Sequence, residues 1–151
     1  MSEQQAEAAF KQCSKKIISV MGKKETTGQQ LQDMAKQLFG HRFIGIFAQN
    51  EIPLGRSGML IANTDISSEP GTHWVALLLT PKTVYIYDSF GRSATKLMKI
   101  LTKNAIAKKI KIVNSDLSDK EQKEASAICG QLSISWLVVV KLLGIRTALK
   151  I

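Results

Sequence analysis

Two neighbouring apolar segments constrain the fold of this chain more than any other feature. The segments HWVALLLT (73–80) and TVYIYDSF (83–90) are rich in β-branched and aromatic residues, and only Pro81 and Lys82 separate them. A two-residue connection predicts an antiparallel hairpin, in which residue 80 lies opposite 83 and residue 73 opposite about 90. Because both segments are mostly apolar throughout, we expect a sheet that is covered on both faces.

Further segments predict the other strands and the helices of the same domain. Strand-like segments are FIGIFA (43–48), GMLIANT (58–64) and IKIV (110–113). Helical spacing of apolar residues predicts a helix up to Gly22, one from a Thr27–Gln30 capping box to Gly40, one over 92–106, and one from near Cys129 to Gly144. We therefore predict a single α+β domain over 1–151, with helices flanking a central mixed or antiparallel sheet.

Composition narrows the class of protein. The chain has 151 residues, of which 44% are hydrophobic, enough for one domain with a core. The polar N-terminus predicts that there is no signal peptide, and the longest apolar run, 132–145, is interrupted by Lys141. We therefore expect a soluble, intracellular protein that is not secreted and has no membrane partner.

The few thiols and imidazoles argue against a metal site. The chain has two cysteines, Cys13 and Cys129, and two histidines, His41 and His73, and no pair of them has the spacing of zinc ligands. Two thiols in an intracellular protein are more often free than bridged. We predict no bound metal.

The charge of the chain indicates an acidic partner. The formal net charge is +9 and the pI about 9.7, which favours nucleic acid, although a basic surface can also serve solubility alone. Residues 92–111 hold seven basic residues and no acidic one, and the first four are spaced to form a stripe on one helix. The predicted DNA-binding residues are Arg92, Lys96, Lys99, Lys103, Lys108, Lys109 and Lys111.

Cys129 is the candidate nucleophile. A cysteine at the start of an apolar helix is, taken alone, more often a small buried side chain. The N-terminus of a helix also stabilises a thiolate, which is the reactive form of the thiol. Gly130 beside it is predicted to let a substrate backbone approach closely, and thus to line a substrate cleft.

His73 and Asp88 are the candidate base and its orienting carboxylate. The predicted hairpin brings Asp88 within a residue or two of His73 across the two strands. A carboxylate there can fix the imidazole tautomer and stabilise the imidazolium. Gly71 and Trp74, on either side of His73, are predicted to line the cleft. His41 is the rival base, but no carboxylate is placed to orient it.

Gln122 is the candidate oxyanion donor. It precedes Cys129 by seven residues, in a polar segment where a glutamine is usually only a surface residue. Its side-chain amide can also hold an oxyanion together with the backbone N–H of Cys129.

These residues, in this order, resemble the adenovirus endopeptidase family, which shares a clan with the SUMO-deconjugating proteases. The resemblance rests on PGTHWVALLL, VYIYDSFG, and Gln122 followed by Cys129-Gly130, and it covers roughly 26–143. The helix over 1–22 is an addition to that core. The resemblance implies a papain-like, adenain-like cysteine protease fold with the nucleophile at a helix N-terminus. It also implies the roles of base for His73, acidic third member for Asp88, oxyanion donor for Gln122 and nucleophile for Cys129.

The resemblance further implies a viral cysteine endopeptidase that cleaves viral precursor proteins of the capsid or core during virion maturation. Such an enzyme is expected in the virion and in the nucleus or cytoplasm of the host cell. Its chemistry requires no cofactor, and DNA is expected as an activator. The family's activating peptide joins an upstream cysteine, but the segment KKIKIVNS around residue 111 contains none. Any activating peptide would therefore act without a disulfide there.

Two alternatives stay open. The first is a ubiquitin-like protein deconjugase, because that branch has an aspartate at the position of Asp88, where the adenovirus enzyme has glutamate. Ile128 stands where the same branch usually has an aspartate, which favours the viral branch. The second alternative is a basic, non-catalytic DNA-binding protein built on the protease fold.

Overall fold

A five-stranded mixed sheet forms the centre of the molecule in a computed structural model that describes residues 1–66, 68, 73–115 and 127–151. The strands are β1 (Phe43–Ala48), β2 (Gly58–Asn63), β3 (Trp74–Leu79), β4 (Thr83–Tyr87) and β5 (Lys111–Asn114). They lie in the order β1-β2-β3-β4-β5, with parallel pairs at the two ends and antiparallel pairs in the middle. The predicted α+β fold and mixed sheet are confirmed.

The hairpin has the register that its short turn predicts. Leu79 pairs with Val84 and Ala76 with Tyr87, so that continuing the ladder places residue 73 opposite 90. Alternate residues of β3 enter two different cores, because side chains along a strand point to opposite faces. The sheet is thus covered on both sides, as its apolar segments predict.

The helices form the two outer layers. They are α1 (Glu3–Met21), α2 (Gly28–Phe39), α3 (Ala94–Leu97), α4 (Lys99–Ala107), α5 (Cys129–Leu143) and α6 (Ile145–Ala148). Residues of α1, α2, α5 and α6 share one core with the sheet, and residues of α3 and α4 share the other. Single 3-10 turns, Gly40–Arg42 and Gln49–Glu51, flank β1.

Local signals set several helix ends. Thr27 and Gln30 form the predicted capping box of α2, each side chain accepting a hydrogen bond from the other residue's backbone N–H. Gly22 and Gly144 end α1 and α5 with φ of 88° and 87°, a conformation that glycine adopts without strain.

The continuous helix predicted over 92–106 is wrong. The chain breaks at Met98, with φ −130° and ψ 68°, and α4 begins anew at Lys99. The N–H of Ile100 donates to the side-chain oxygen of Gln49, 3.2 Å away and remote in sequence. Arg92 precedes both helices, so the predicted stripe that includes it is not a single helical face.

Helix α5, which begins with Cys129, lies at the centre of the larger core. Trp136 of α5 stacks on Tyr87 of β4 with ring centroids 5.6 Å apart, and Phe10 of α1 packs on Tyr87 at 5.8 Å. Gln131 donates from its side-chain amide to the carbonyl oxygens of Gly22 and Lys24, at 2.9 and 2.8 Å. The helix over 1–22, predicted as an addition, is therefore an integral part of the core around α5.

Candidate active site

His73 and Asp88 meet at the end of the β3–β4 hairpin. His73 comes directly before β3, and Asp88 comes directly after β4. The carboxylate oxygen Oδ1 of Asp88 contacts the imidazole nitrogen Nε2 of His73. Both residues are buried, and the carbonyl oxygen of His73 accepts a hydrogen bond from Thr64 N–H at 3.0 Å. The contact predicted from the register of two strands is thus present.

Asp88 is the first residue of a tight turn, and the turn brings Arg92 back to the Asp88 carboxylate. The N–H of Gly91 donates to the carbonyl oxygen of Asp88 at 2.9 Å, and Gly91 has φ 69°, which favours glycine. The next residue, Arg92, donates to Asp88 Oδ2 from its backbone N–H at 2.9 Å and from its side-chain Nε at 3.0 Å. Both carboxylate oxygens are therefore engaged.

Cys129 is the first residue of α5 and lies beside the start of β3. Its Sγ accepts a hydrogen bond from the backbone N–H of Trp74, with N and S 3.4 Å apart. Ser133, one turn further along α5, donates to the carbonyl oxygens of Cys129 and Trp74 at 2.8 and 3.3 Å. Two hydrogen bonds therefore join β3 to the start of α5, one to Cys129 Sγ and one from the Ser133 hydroxyl.

The surroundings of His73 and Asp88 favour the charged form of both side chains. Burial opposes protonation of His73, but hydrogen bonds and charge attraction from Asp88 and Cys129 outweigh it and raise the pKa of the imidazole. Burial likewise opposes ionisation of Asp88, but hydrogen bonds from His73 and Arg92 prevail and lower the pKa of the carboxyl. Since Nε2 faces Asp88, the other nitrogen, Nδ1, is left for the thiol.

The rival base lies elsewhere. His41 is exposed in the 3-10 turn Gly40–Arg42 that precedes β1. The other thiol, Cys13, lies half-buried on α1, where burial raises its pKa despite the nearby Lys16. Among the candidates, the structure therefore brings His73, Asp88 and Cys129 together and leaves His41 and Cys13 out.

Two predicted site residues fall outside the described part of the chain. Gln122, the predicted oxyanion donor, and Gly71, a predicted cleft residue, are both in this position. Trp74 is half-buried, and its indole N–H donates to the carbonyl oxygen of Thr26 at 3.2 Å. Trp74 therefore meets the site chiefly through its backbone N–H.

Gly130 lies where α5 packs closely against the start of α2. It is buried, and a Cβ at this position would lie 2.1 Å from Thr26 Oγ1 and 3.0 Å from Leu31 Cδ2. The absence of a side chain thus lets α5 approach the start of α2. The structure thus shows a packing role for Gly130, and its place in a substrate cleft stays a prediction.

Sequence reasoning missed two contributions to the site. The Phe90 ring lies against the His73 imidazole, with centroids 5.1 Å apart, and Arg92 Cζ lies 4.8 Å from the centroid of the Phe90 ring. The predicted pairing of residue 73 with 90 was a usable signal for Phe90. Arg92 was assigned to DNA, although it stands only four residues from Asp88.

The remaining predicted DNA-binding residues lie on the surface. Lys96, Lys99, Lys103, Lys108, Lys109 and Lys111 are exposed. Lys99 and Lys103 border a shallow groove of about 400 Å³ together with Thr95, Thr102 and Ile106. Arg92 is half-buried and faces Asp88, so it differs from these lysines.

The described part of the chain offers neither a metal-binding cluster nor a membrane-spanning helix. In the described ranges, no three His, Cys, Asp or Glu side chains are grouped so that they could hold a metal ion. Among the helices that the structure describes, none has both the length and the hydropathy needed to cross a membrane.

Comparisons with known proteins identify a family. The family model described as adenovirus endoprotease matches residues 37–143. No curated protein sequence matches the chain. A search of solved structures finds the protein recorded as "AvrA delL154 with IP6, CoA", at a TM-score of 0.45 and 13% identity. The match covers 94% of this chain and 61% of that one, and so weak a likeness says nothing about activity.

Proposed function

Because the chain belongs to the adenovirus endoprotease family, we propose that it is a cysteine endopeptidase with Cys129 as nucleophile and His73 as general acid and base. The observation that carries the proposal is the joint placement of three groups. His73 contacts Asp88, and Cys129 begins a helix beside the residue that follows His73. The family match supports a protease. The placement of Cys129 near His73 and Asp88 supports the proposal that the nucleophile is a thiol.

The proposed reaction has two halves. The Cys129 thiolate attacks the carbonyl carbon of the scissile bond, forming a C–S bond, and the His73 imidazolium gives its proton to the departing amine as the C–N bond breaks. A water molecule then loses a proton to His73 and attacks the thioester. The C–S bond breaks, which releases the carboxylic acid and restores the thiolate and the imidazolium. Asp88 keeps the imidazole oriented throughout.

The developing oxyanion needs hydrogen-bond donors at the start of α5. The first N–H groups of a helix have no partner within the helix, and the residue before Cys129 is Ile128, which supplies no side-chain cap. We propose the Cys129 N–H and the Gln122 amide as these donors. Removing one such donor typically lowers turnover by about 10²–10³.

Replacement of the nucleophile tests the proposal directly. Cys129→Ala is expected to abolish cleavage of a peptide or denatured protein substrate while the circular dichroism spectrum and melting temperature stay close to those of the wild type. Cys13→Ser is the matched control, since it removes the other thiol and should retain activity. Cleavage that survives in Cys129→Ala would exclude the mechanism.

Thiol alkylation tests the proposed ion pair without a substrate. We expect iodoacetamide to modify Cys129 at about pH 6, where an ordinary thiol with a pKa of about 8.5 is almost fully protonated. Cys13 serves as the internal reference, because its raised pKa makes it slow at that pH. Equal, slow labelling of both cysteines would count against a thiolate at Cys129.

For the biological role we propose maturation of virus particles, in which the enzyme cleaves viral precursor proteins in the virion or in the infected cell. Support comes from the family alone. Incubation of the enzyme with candidate precursors, followed by mass spectrometry of the new termini, would identify the bonds cut. Capture of Cys129 by a ubiquitin or SUMO probe would instead redirect the proposal to deconjugation.

We also propose that DNA assists the enzyme. The exposed lysines at 96, 99, 103, 108, 109 and 111 and the net charge of +9 support this, because closely spaced cations attract a phosphate backbone. DNA would act as a surface that concentrates enzyme and substrate, and it takes no part in the bond-making steps.

A further inference from the structure

Arg92 occupies a position in the active site that the proposed mechanism does not use. Its Nε and its backbone N–H both donate to Asp88 Oδ2, while Asp88 Oδ1 contacts His73. Asp88 thus stands between an arginine and a histidine, with one carboxylate oxygen for each. A carboxylate held by two donors on one oxygen cannot rotate without breaking both hydrogen bonds.

A second line of contacts joins the same residues. Arg92 Cζ lies 4.8 Å from the centroid of the Phe90 ring, a distance typical of a cation–π contact. The Phe90 ring in turn lies 5.1 Å from the His73 ring. Arg92 therefore reaches the imidazole from two sides, through the carboxylate of Asp88 and through the face of Phe90.

We propose that Arg92 is a positioning residue of the proposed protease, which holds Asp88 and Phe90 so that the His73 imidazole stays aligned for the Cys129 thiol. This inference rests on the proposed function and deepens it. It also separates Arg92 from the DNA-binding lysines with which its sequence position groups it.

Positioning and simple charge effects have opposite consequences for His73. The charged or titratable groups described around the imidazole are Asp88, Cys129 and, behind Asp88, Arg92. If Arg92 acted only as a nearby positive charge, its removal would favour the imidazolium and raise the pKa of His73. If Arg92 holds Asp88 in place, its removal frees the carboxylate, and the pKa of His73 falls.

An NMR titration of the imidazole distinguishes the two without any turnover. In a Cys129→Ala background, Arg92→Ala is expected to lower the pKa of His73 and leave that of His41 unchanged. His41 is the other histidine of the chain and serves as internal reference. Arg56→Ala is the matched control. Arg56 is an exposed arginine near the start of β2, and that end of β2 pairs with the end of β3 that is remote from His73. An unchanged or raised pKa for His73 would overturn the inference.

Kinetics provide the second measurement. In the Cys129 enzyme, Arg92→Ala should lower kcat by about tenfold to a hundredfold with little change in KM, since misalignment affects the reacting groups more than substrate binding. Arg92→Lys, which keeps the charge but not the planar guanidinium, should recover part of the loss. A value of kcat for Arg92→Ala equal to that of Arg56→Ala would also reject the inference.

The two proposals fail in different ways. An enzyme that neither cleaves substrates nor shows rapid alkylation of Cys129 would refute the proposed function. The His73 titration would still report whether Arg92 holds Asp88, because it depends on the arrangement of the side chains alone.

Discussion

At the scale of single residues, the candidate site depends on how Asp88 divides its two oxygens. One oxygen faces the imidazole that must carry a proton, and the other faces a guanidinium that is always charged. A buried carboxylate with these partners stays ionised, and a buried imidazole beside it stays protonated to higher pH than usual. The sequence predicted this pair but left out the arginine.

Asp88→Asn should therefore impair both catalysis and pH-dependent stability. The amide keeps the shape of the carboxylate but not its charge, so we expect kcat/KM to fall by about 10²-fold or more. The lowered pKa of Asp88 stabilises the fold above the pKa of the unfolded carboxyl, about 3.9, and this contribution is lost as the pH falls through the lowered value.

The raised pKa of His73 gives stability the opposite dependence on pH. Its contribution is complete below the pKa of the unfolded imidazole, about 6.5, and is lost as the pH rises through the raised value. The difference in unfolding free energy between wild type and Asp88→Asn should thus be largest between about pH 4 and 6.5. Urea unfolding at a series of pH values measures it, and a difference that does not vary with pH would contradict the ion pair.

At the scale of elements, the approach of α5 to the start of α2 fixes the position of Cys129, the proposed nucleophile. Gly130 permits the approach, Gln131 ties α5 to the connection between α1 and α2, and Ser133 ties it to β3. These three positions follow Cys129 within about one turn, so the first turn of α5 is fixed from several directions.

Gly130→Ala tests this packing. A methyl group 2.1 Å from Thr26 Oγ1 forces a shift of buried groups, so we expect a loss of about 1–3 kcal/mol in stability. Gly28→Ala is the matched control. Its Cβ would lie 3.6 Å from the Trp74 ring, an ordinary contact, and a gain of about 0.5 kcal/mol is expected from reduced chain entropy. Chemical denaturation compares the two, and equal stabilities would refute the packing role.

Local patterns predicted those elements whose causes are local. The turn of Pro81 and Lys82 fixes the hairpin register, and the Thr27–Gln30 box fixes the start of α2. The break at Met98 was not predictable in this way. The apolar spacing of Leu97, Met98 and Leu101 runs through it, because α3 and α4 bury side chains in the same core. What accompanies the break is the contact of Ile100 with Gln49, 51 positions away.

The same reasoning explains which site residues could be inferred. His73, Asp88 and Cys129 combine a chemical type with a recognisable place, at a strand end or at a helix start. The packing role of Gly130 could not be inferred, because nothing in the sequence shows that a side chain there would meet Thr26 and Leu31. Gln122 and Gly71 stay predictions.

At the scale of the whole molecule, positive charge is concentrated on the surface formed by α3, α4 and the chain that follows them. Lys96, Lys99 and Lys103 are exposed there, and 92–111 contains no acidic residue. If this surface binds DNA, the affinity should fall steeply as the salt concentration rises. In a plot of log K against the logarithm of the salt concentration, each phosphate contact should contribute a slope of about −0.9.

Reversal of charge at Lys96, Lys99 and Lys103 to glutamate should weaken DNA binding and flatten the salt dependence. The matched control reverses Lys11, Arg56 and Arg146, which are exposed outside this surface and change the net charge equally. Fluorescence anisotropy with labelled duplex DNA at several salt concentrations measures both slopes. If the two triple variants weaken binding equally, net charge alone is responsible and the surface is not specific.

The hydrogen bond from Trp74 N–H to Cys129 Sγ joins residues that lie 55 positions apart in the chain. A newly made or partly folded chain contains the thiol and the imidazole but does not hold them close together, so the proposed mechanism gives it no proteolytic activity. In the proposed mechanism, proteolytic activity therefore requires α5 to be docked against β3. The rate at which Cys129 reacts with a thiol reagent during refolding would then report when α5 docks against β3.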